Sequence, residues 1–310
     1  MRKAPHKQEL VTRAGVLFAV GGYGWWAVVT PVYFYLLKDV HALEQLAWRV
    51  LAGVPTMLVF LWGVRRLGEV KAALTTPKAL GGLCISAVLI GTNWFVFLWS
   101  VLTERLSDAS LGYFISPLVA VLLGMVVLGE RLRRLQWVAV SVATIGVLCM
   151  AVNLGKLPWI SLALAGTFGF YGLTRKRVPV APAPGLAVEM LLLLPFMACG
   201  MFLVPQEFGL RAFGESDFLT VMLLLAGVQT MVPLVLFAAG AKRLPLSTLG
   251  VLQYISPIGQ LLLATLAFGE PFGAGKAIAF GIIWCAVVLY VVDSMLHANR
   301  PRTTAARLAE

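Results

Sequence analysis

Ten apolar stretches, each close to 20 residues long, follow one another through this chain, and a bilayer-spanning helix needs about 20 mainly apolar residues. They fall at residues 13–36, 47–64, 79–101, 111–128, 135–152, 157–173, 186–204, 218–240, 246–268 and 275–296. With ten spans assigned, roughly 100 residues are left for tails and loops, so no separate soluble domain fits. Composition excludes the same alternative: 60% of the 310 residues are hydrophobic and 13% charged, against about 25% charged in soluble domains. A mean hydropathy of +0.88 also excludes a disordered chain. The expected class is an all-α polytopic membrane protein. The first stretch follows Arg2, Lys3 and Lys7 but is too long for a signal peptide, and residues 33–38 offer no small-residue cleavage site, so it reads as a retained span.

The net charge of +11 takes its meaning from position. With a cytoplasmic N-terminal tail (1–12), alternation places nineteen Lys and Arg in cytoplasmic segments and five in outer loops, with Arg49 at the start of the second span. Positive charge marks the cytoplasmic side, so both termini, including the tail 297–310, are expected inside a bacterial-type inner (plasma) membrane. The charge is an insertion signal and not a nucleic-acid footprint.

The chain also repeats itself. Ile115-Ser116-Pro117 recurs as Ile255-Ser256-Pro257 and Gly129-Glu130 as Gly269-Glu270, both 140 residues later. Seven of sixteen positions are identical between 115–130 and 255–270. Upstream, Arg105-Leu106 and Leu111-Gly112 return as Arg243-Leu244 and Leu249-Gly250, and Gly91-Thr92-Asn93 resembles Gly227-Val228-Gln229. Tyr23-Gly24-Trp25-Trp26 resembles Phe168-Gly169-Phe170-Tyr171. The repeats are therefore 13–152 and 157–296, five spans each. An odd number inverts the second half, giving a 5+5 inverted-topology repeat, the architecture of secondary transporters with a site between the halves.

Several strings make a resemblance specific: Gly22-Tyr-Gly-Trp-Trp26 leading to Pro31 and Tyr33, Ala42-Leu-Glu44 leading to Arg49, and Asn93-Trp94. Ser110-Leu-Gly-Tyr-Phe-Ile-Ser-Pro117, Gly129-Glu-Arg-Leu132, Arg243-Leu-Pro-Leu-Ser-Thr-Leu-Gly250 and Gln253-Tyr-Ile-Ser-Pro257 belong to the same set. Together they resemble the RarD branch of the EamA-type permeases, in the drug/metabolite transporter superfamily, over all but the tails. The resemblance implies an inner-membrane permease in a superfamily that exports amino acids, metabolites and drugs.

Polar groups are costly in hydrocarbon and so are functional candidates. Gln253, Ser256 and Gln260 form one helical stripe in the ninth span, with Tyr113, Ser116 and Ala120 at the matching positions of the fourth. Asn93 and its counterpart Gln229 sit mid-span, while Trp26, Tyr33 and Tyr171 supply aromatic walls, with Trp26 and Tyr33 expected on one face. The ten residues are the expected substrate-binding set; the same amides and hydroxyls also serve as interhelical glue. Arg49 and Glu189 are repeat partners near opposite ends of their spans, candidates for gating or substrate steering or for snorkelling to water, and are not expected to pair with each other. Pro117 and Pro257 each remove a helix hydrogen bond and are read as paired hinges.

No Cys-x-x-Cys or His-x-x-x-His occurs, so neither a metal nor a cofactor is expected. Small residues at four-residue spacing, Ser161/Ala165/Gly169 and Ala277/Gly281/Cys285, suit close helix packing within one chain or across a homodimer. The function expected is a non-enzymatic carrier exporting small metabolites, amino acids or amphiphilic drugs by alternating access. A membrane-embedded lipid-modifying transferase, or a channel or receptor, is the alternative. No nucleotide-binding loop is present, and the first span carries no mid-membrane carboxylate for proton exchange.

Overall fold

In the computed structural model the described residues are 5–152, 159–203, 212–266, 281–282, 284–290 and 292–293. The chain begins with α1 (Pro5–Gly24), a π-helical turn at Trp25–Val29, and α2 (Thr30–Leu36), which together make the first span. The second span is α3 (Ala42–Leu51) and α4 (Gly53–Gly63), and a short surface helix α5 (Leu67–Thr75) leads to α6 (Pro77–Leu102). Then follow α7 (Leu106–Leu128), α8 (Arg134–Val152), α9 (Trp159–Arg177), α10 (Pro182–Leu203) and α11 (Asp217–Ala241). The ninth span is broken into α12 (Leu246–Gln253) and α13 (Ile255–Leu266). All regular structure among the described residues is helical. Among the described residues seven helical segments are long and apolar enough to cross a bilayer: Arg13–Leu36, Ala42–Gly63, Pro77–Leu102, Asp108–Leu128, Pro182–Gly200, Asp217–Ala241 and Leu246–Leu263. A shorter apolar helix covers Arg134–Cys149. Much of the tenth expected span, with Ala277 and the motif Gly269-Glu270, lies outside the described residues.

The halves interlock through close crossings: α7 runs along α9 and α12, α6 along α9, and α1 along α11. Small residues set these distances. A Cβ at Gly112 would lie 3.1 Å from the Ser161 carbonyl, and one at Gly169 2.7 Å from Val119 Cγ1, so the Ser161/Ala165/Gly169 stripe packs against α7 of the same chain. A Cβ at Gly227 would meet the Ala52 carbonyl at 2.5 Å, which makes glycine a condition of the α11–α4 contact. All four cysteines are free.

One end of the bundle gathers Lys and Arg and is called here the basic end. Its links run mostly from side chain to helix-end carbonyl. Arg177 Nη2 donates to the Val127 carbonyl at 2.9 Å, Lys242 Nζ to Val178 at 2.6 Å, and Lys176 Nζ to Ala241 and Leu244. Cations favour helix C-termini, but packing three together costs something. Burial, with Arg175 and Lys176 beside it, pushes the Lys242 ammonium from the usual 10.5 down to about 8. Between those two values the unfolded chain holds a proton that the folded one does not, so stability rises with pH there. Thermal unfolding between pH 8 and 10.5 is expected to show this rise, and Lys242→Met to flatten it; an identical slope in both proteins would refute the assignment.

At the same end Gly129 ends α7 in the left-handed region, φ 65°, where glycine is the residue of choice. The turn points Glu130 back towards the other half. Its carboxylate accepts from Leu246 N (2.6 Å), Ser247 N (2.8 Å) and Ser247 Oγ (2.7 Å). These are the first free N–H groups of α12, whose N-cap, Pro245, gives no side-chain hydrogen bond. A carboxylate at a helix N-terminus satisfies orphan donors and complements the helix dipole. Glu130 of the first half thus caps a helix of the second. Gly124 leaves it room, since a Cβ there would fall 2.6 Å from Glu130 Oε2.

Candidate functional site

A cavity of about 130 Å³ lies between the halves. The first half lines it with Trp26, Thr30, Phe34, Arg49, Ile90, Asn93, Trp94, Phe97, Gly112, Tyr113 and Ser116. The second contributes Leu164, Phe168, Leu234, Gln253, Ser256, Pro257 and Gln260. Of the ten expected binding residues, Trp26, Asn93, Tyr113, Ser116, Gln253, Ser256 and Gln260 are thus brought together, with Arg49 and Pro257.

Local hydrogen bonding explains how the stripe is held. In the π turn the Thr30 N–H reaches back to the Trp25 carbonyl, and Pro31 has no N–H to offer. The Trp26 carbonyl therefore loses its helical donors, and Gln260 Nε2 supplies one at 2.9 Å. Ser256 Oγ donates to the Tyr23 carbonyl at 3.0 Å and Gln253 Nε2 to Ser116 Oγ at 2.9 Å. Across the cavity Asn93 Nδ2 donates to the Leu164 carbonyl and to Thr167 Oγ1, each at 2.9 Å. The donors of these amides tie helices together, so the glue reading holds for their nitrogens. Among the described residues the oxygens of Asn93, Gln253 and Gln260 accept no hydrogen bond.

Three expected binding residues are placed elsewhere. Tyr33 turns away, its hydroxyl donating to the Met222 carbonyl at 3.0 Å, and Phe34 takes its place in the wall. The expectation of a shared face for Trp26 and Tyr33 assumed an unbroken α-helix. The π turn inserts one residue into the repeat and advances the face by one position. Gln229 is used up between helices, accepting from Trp25 Nε1 at 2.7 Å and donating to Thr30 Oγ1 at 2.5 Å. Tyr171 donates to Glu189 Oε2 at 3.2 Å in the interior and is not part of the cavity wall.

Glu189 does not snorkel to water. It is fully buried, accepts from Ser86 Oγ and Tyr171, and pairs with Arg175 at 3.3 Å, which is itself 0% exposed. Sequence reasoning counted Arg175 among loop cations and missed it. The available signal was its four-residue spacing from Tyr171, which sets both on one face of α9. Gly185 makes space for the guanidinium, since a Cβ there would lie 2.1 Å from Arg175 Nη1. Arg49 and Glu189 do not touch, as expected. The prolines differ too: Pro257 lines the cavity just past the break at Tyr254, while Pro117 sits inside the continuous α7 and faces a separate cleft beside Tyr254 and Tyr290. Only the second proline lies beside a helix break, three residues after Tyr254, while α7 runs on through Pro117.

Between the cavity floor and the basic end, five rings stack into a plug. Tyr23, Trp26, Phe168, Tyr171 and Phe237 have neighbouring centroids 5.0–6.1 Å apart. The Tyr23 hydroxyl donates to the Leu249 carbonyl at 3.0 Å, and a Cβ at Gly250 would lie 2.8 Å from the Pro117 carbonyl. Only about 10 Å³ of space remains beneath Gln253. The cavity is shut towards the basic end.

An all-helical bilayer protein with a polar, ring-walled cavity between two halves belongs to the class of membrane transporters. The comparisons with known proteins give the family. The EamA-like transporter family matches residues 13–152 and again 156–292, and the chain belongs to that family, in its RarD branch. It is 44% identical over 284 residues to the protein RarD of Salmonella typhi, covering 92% of this chain and 96% of that one. It is 31% identical over 271 residues to the chloramphenicol-sensitive protein RarD of Pseudomonas aeruginosa, covering 86% of this chain and 90% of the relative. A crystal structure 19% identical in sequence superposes with a TM-score of 0.68 over 92% of this chain and 99% of its own, showing a shared fold.

Proposed function

We propose that this membrane transporter is a secondary carrier that exports small metabolites, amino acids or amphiphilic drugs across the bacterial inner membrane by alternating access of its two inverted halves. One observation carries the reading: a single cavity is walled by both halves, and the contacts that shut it at the basic end, Glu130 with Ser247 and Tyr23 with Leu249, run from one half to the other. Moving the halves against each other would open that end and change the cavity walls together. The basic end is assigned to the cytoplasm by the positive-inside rule, so the state described here is closed to the cytoplasm. The substrate contacts are assigned to the cavity-lining members of the expected set.

Flux in proteoliposomes tests this. Radiolabelled amino acids, nucleosides and aromatic antibiotics are offered to the wild type, Gln253→Ala and Asn93→Ala. Saturable flux of at least one compound is expected in the wild type, lowered about tenfold in each variant, the loss of one good hydrogen bond to a bound ligand. No flux above protein-free liposomes would overturn the carrier; equal flux in all three proteins would overturn the site.

A further inference from the structure

The cavity holds one cation, and among the described residues no Asp or Glu lines it. Arg49 stands seven residues into the apolar segment that begins at Ala42, about 10 Å along the helix at a rise of 1.5 Å per residue. Its Nε donates to Thr230 Oγ1 at 3.3 Å, and its two η nitrogens have no protein partner among the described residues. The guanidinium carbon lies 4.4 Å from the centre of the Trp94 ring. An arginine held over an aromatic ring can still offer the fork of N–H donors that fits a carboxylate.

The duplication supplies an internal control. Glu189 occupies the same place in the second half and is given Arg175 as counter-ion, with Ser86 and Tyr171 completing its shell. Among the described residues Arg49 is given no counter-ion. A charge left unpaired at membrane depth is costly and marks a functional position, and the cost is relieved when the anion arrives with the ligand. The rest of the wall narrows the choice. Rings of Trp26, Phe34, Phe97 and Phe168 suit a flat body, and the free amide oxygens of Asn93, Gln253 and Gln260 suit N–H or O–H groups on it. A cationic drug would meet Arg49 with no carboxylate to hold it.

We infer that the cavity takes a small organic anion, a flat carboxylate whose charged group is received by the η nitrogens of Arg49. This specifies the substrate class of the carrier proposed above and rests on that reading for its transport; the binding itself rests on the cavity alone.

The test uses pairs of acids and their neutral amides: indole-3-acetate with indole-3-acetamide, cinnamate with cinnamamide, and 4-hydroxybenzoate with 4-hydroxybenzamide. Binding to the full-length protein in lipid nanodiscs is read by tryptophan fluorescence and by thermal stabilisation. At least one acid is expected to bind about ten- to a hundredfold tighter than its amide, the range for a hydrogen-bonded charge. Arg49→Gln should bring acid and amide together, and Arg49→Lys should keep part of the preference. The unliganded Arg49→Gln protein should unfold no lower than the wild type, since it sheds an unpaired charge. Equal binding of acid and amide, survival of the preference in Arg49→Gln, or no saturable binding of any acid would each overturn the inference. Proteoliposome flux separates the two readings. Acids that bind but never cross overturn the carrier and leave the anion site standing; amides that cross as readily as acids do the reverse.

Discussion

Glu189→Leu is expected to lower the unfolding free energy by about 3–5 kcal/mol, the cost of leaving one member of a buried ion pair alone. Arg175 cannot escape to water: its side chain is 0% exposed, Nη2 is held by the Pro182 carbonyl at 2.7 Å, and Nε already has no hydrogen-bond partner among the described residues. Removing Glu189 takes away its counter-charge and orphans the hydroxyl of Tyr171 at the same point, while Ser86 keeps the Leu83 carbonyl at 3.1 Å. Gly185→Ala should act in the same direction by driving a methyl into the guanidinium. The double variant Arg175→Met, Glu189→Leu should recover most of the loss, because an apolar pair of similar volume often replaces a buried ion pair without cost. Unfolding curves of the four proteins in one detergent decide it. A Glu189→Leu protein as stable as the wild type would mean that the pair contributes nothing to folding, and a double variant no better than the single would mean that the damage is steric.

Glu130→Ala should act on access to the cavity more than on folding. The carboxylate satisfies two backbone donors and one hydroxyl of α12, and a hydrogen bond to a charged group contributes about 1.5–3 kcal/mol. Nearly all of that favours the shut state, because the bond joins the halves. Its loss should therefore raise the population open at the basic end by about ten- to a hundredfold. Leu249, 1% exposed beside the aromatic plug, is a suitable reporter. In a chain with Cys84, Cys149, Cys199 and Cys285 replaced, Leu249→Cys should react with a membrane-impermeant thiol reagent at least about tenfold faster once Glu130 is Ala. An unchanged rate in a folded protein would show that the plug alone shuts this end.

The sequence carries much of this in readable form, and its omissions have physical causes. Gln253, Ser256 and Gln260 are legible as one polar stripe because helical spacing alone puts them on one face, and all three line the cavity. Asn93 was found the same way, yet its counterpart Gln229 is spent on Trp25 and Thr30, since a repeat preserves positions and not partners. Tyr171 was placed by analogy with Trp26, but a phenol carries a proton that a buried carboxylate accepts, and Glu189 is within reach. Glu130 was visible as half of a recurring Gly-Glu motif without a role. The role depends on where the chain turns after Gly129 and on a helix start more than a hundred residues away, neither of which helical periodicity encodes. Arg49 is legible as a gating, substrate-steering or snorkelling charge and no further, because one-dimensional spacing gives position along the helix but not whether an opposite charge waits there.

The π turn at Trp25–Val29 separates the two halves in kind. Its counterpart in the second half, α9, runs as regular α-helix from Trp159 to Arg177, so the halves cannot simply exchange shapes when the proposed carrier reverses. The cavity it would offer one side of the membrane is then not the mirror of the cavity offered to the other. Equal concentrations on both sides still give no net movement without an energy source. Under the proposed alternating access, half-saturation would fall at different concentrations for entry and exit, so a single inserted residue would set a kinetic preference between import and export.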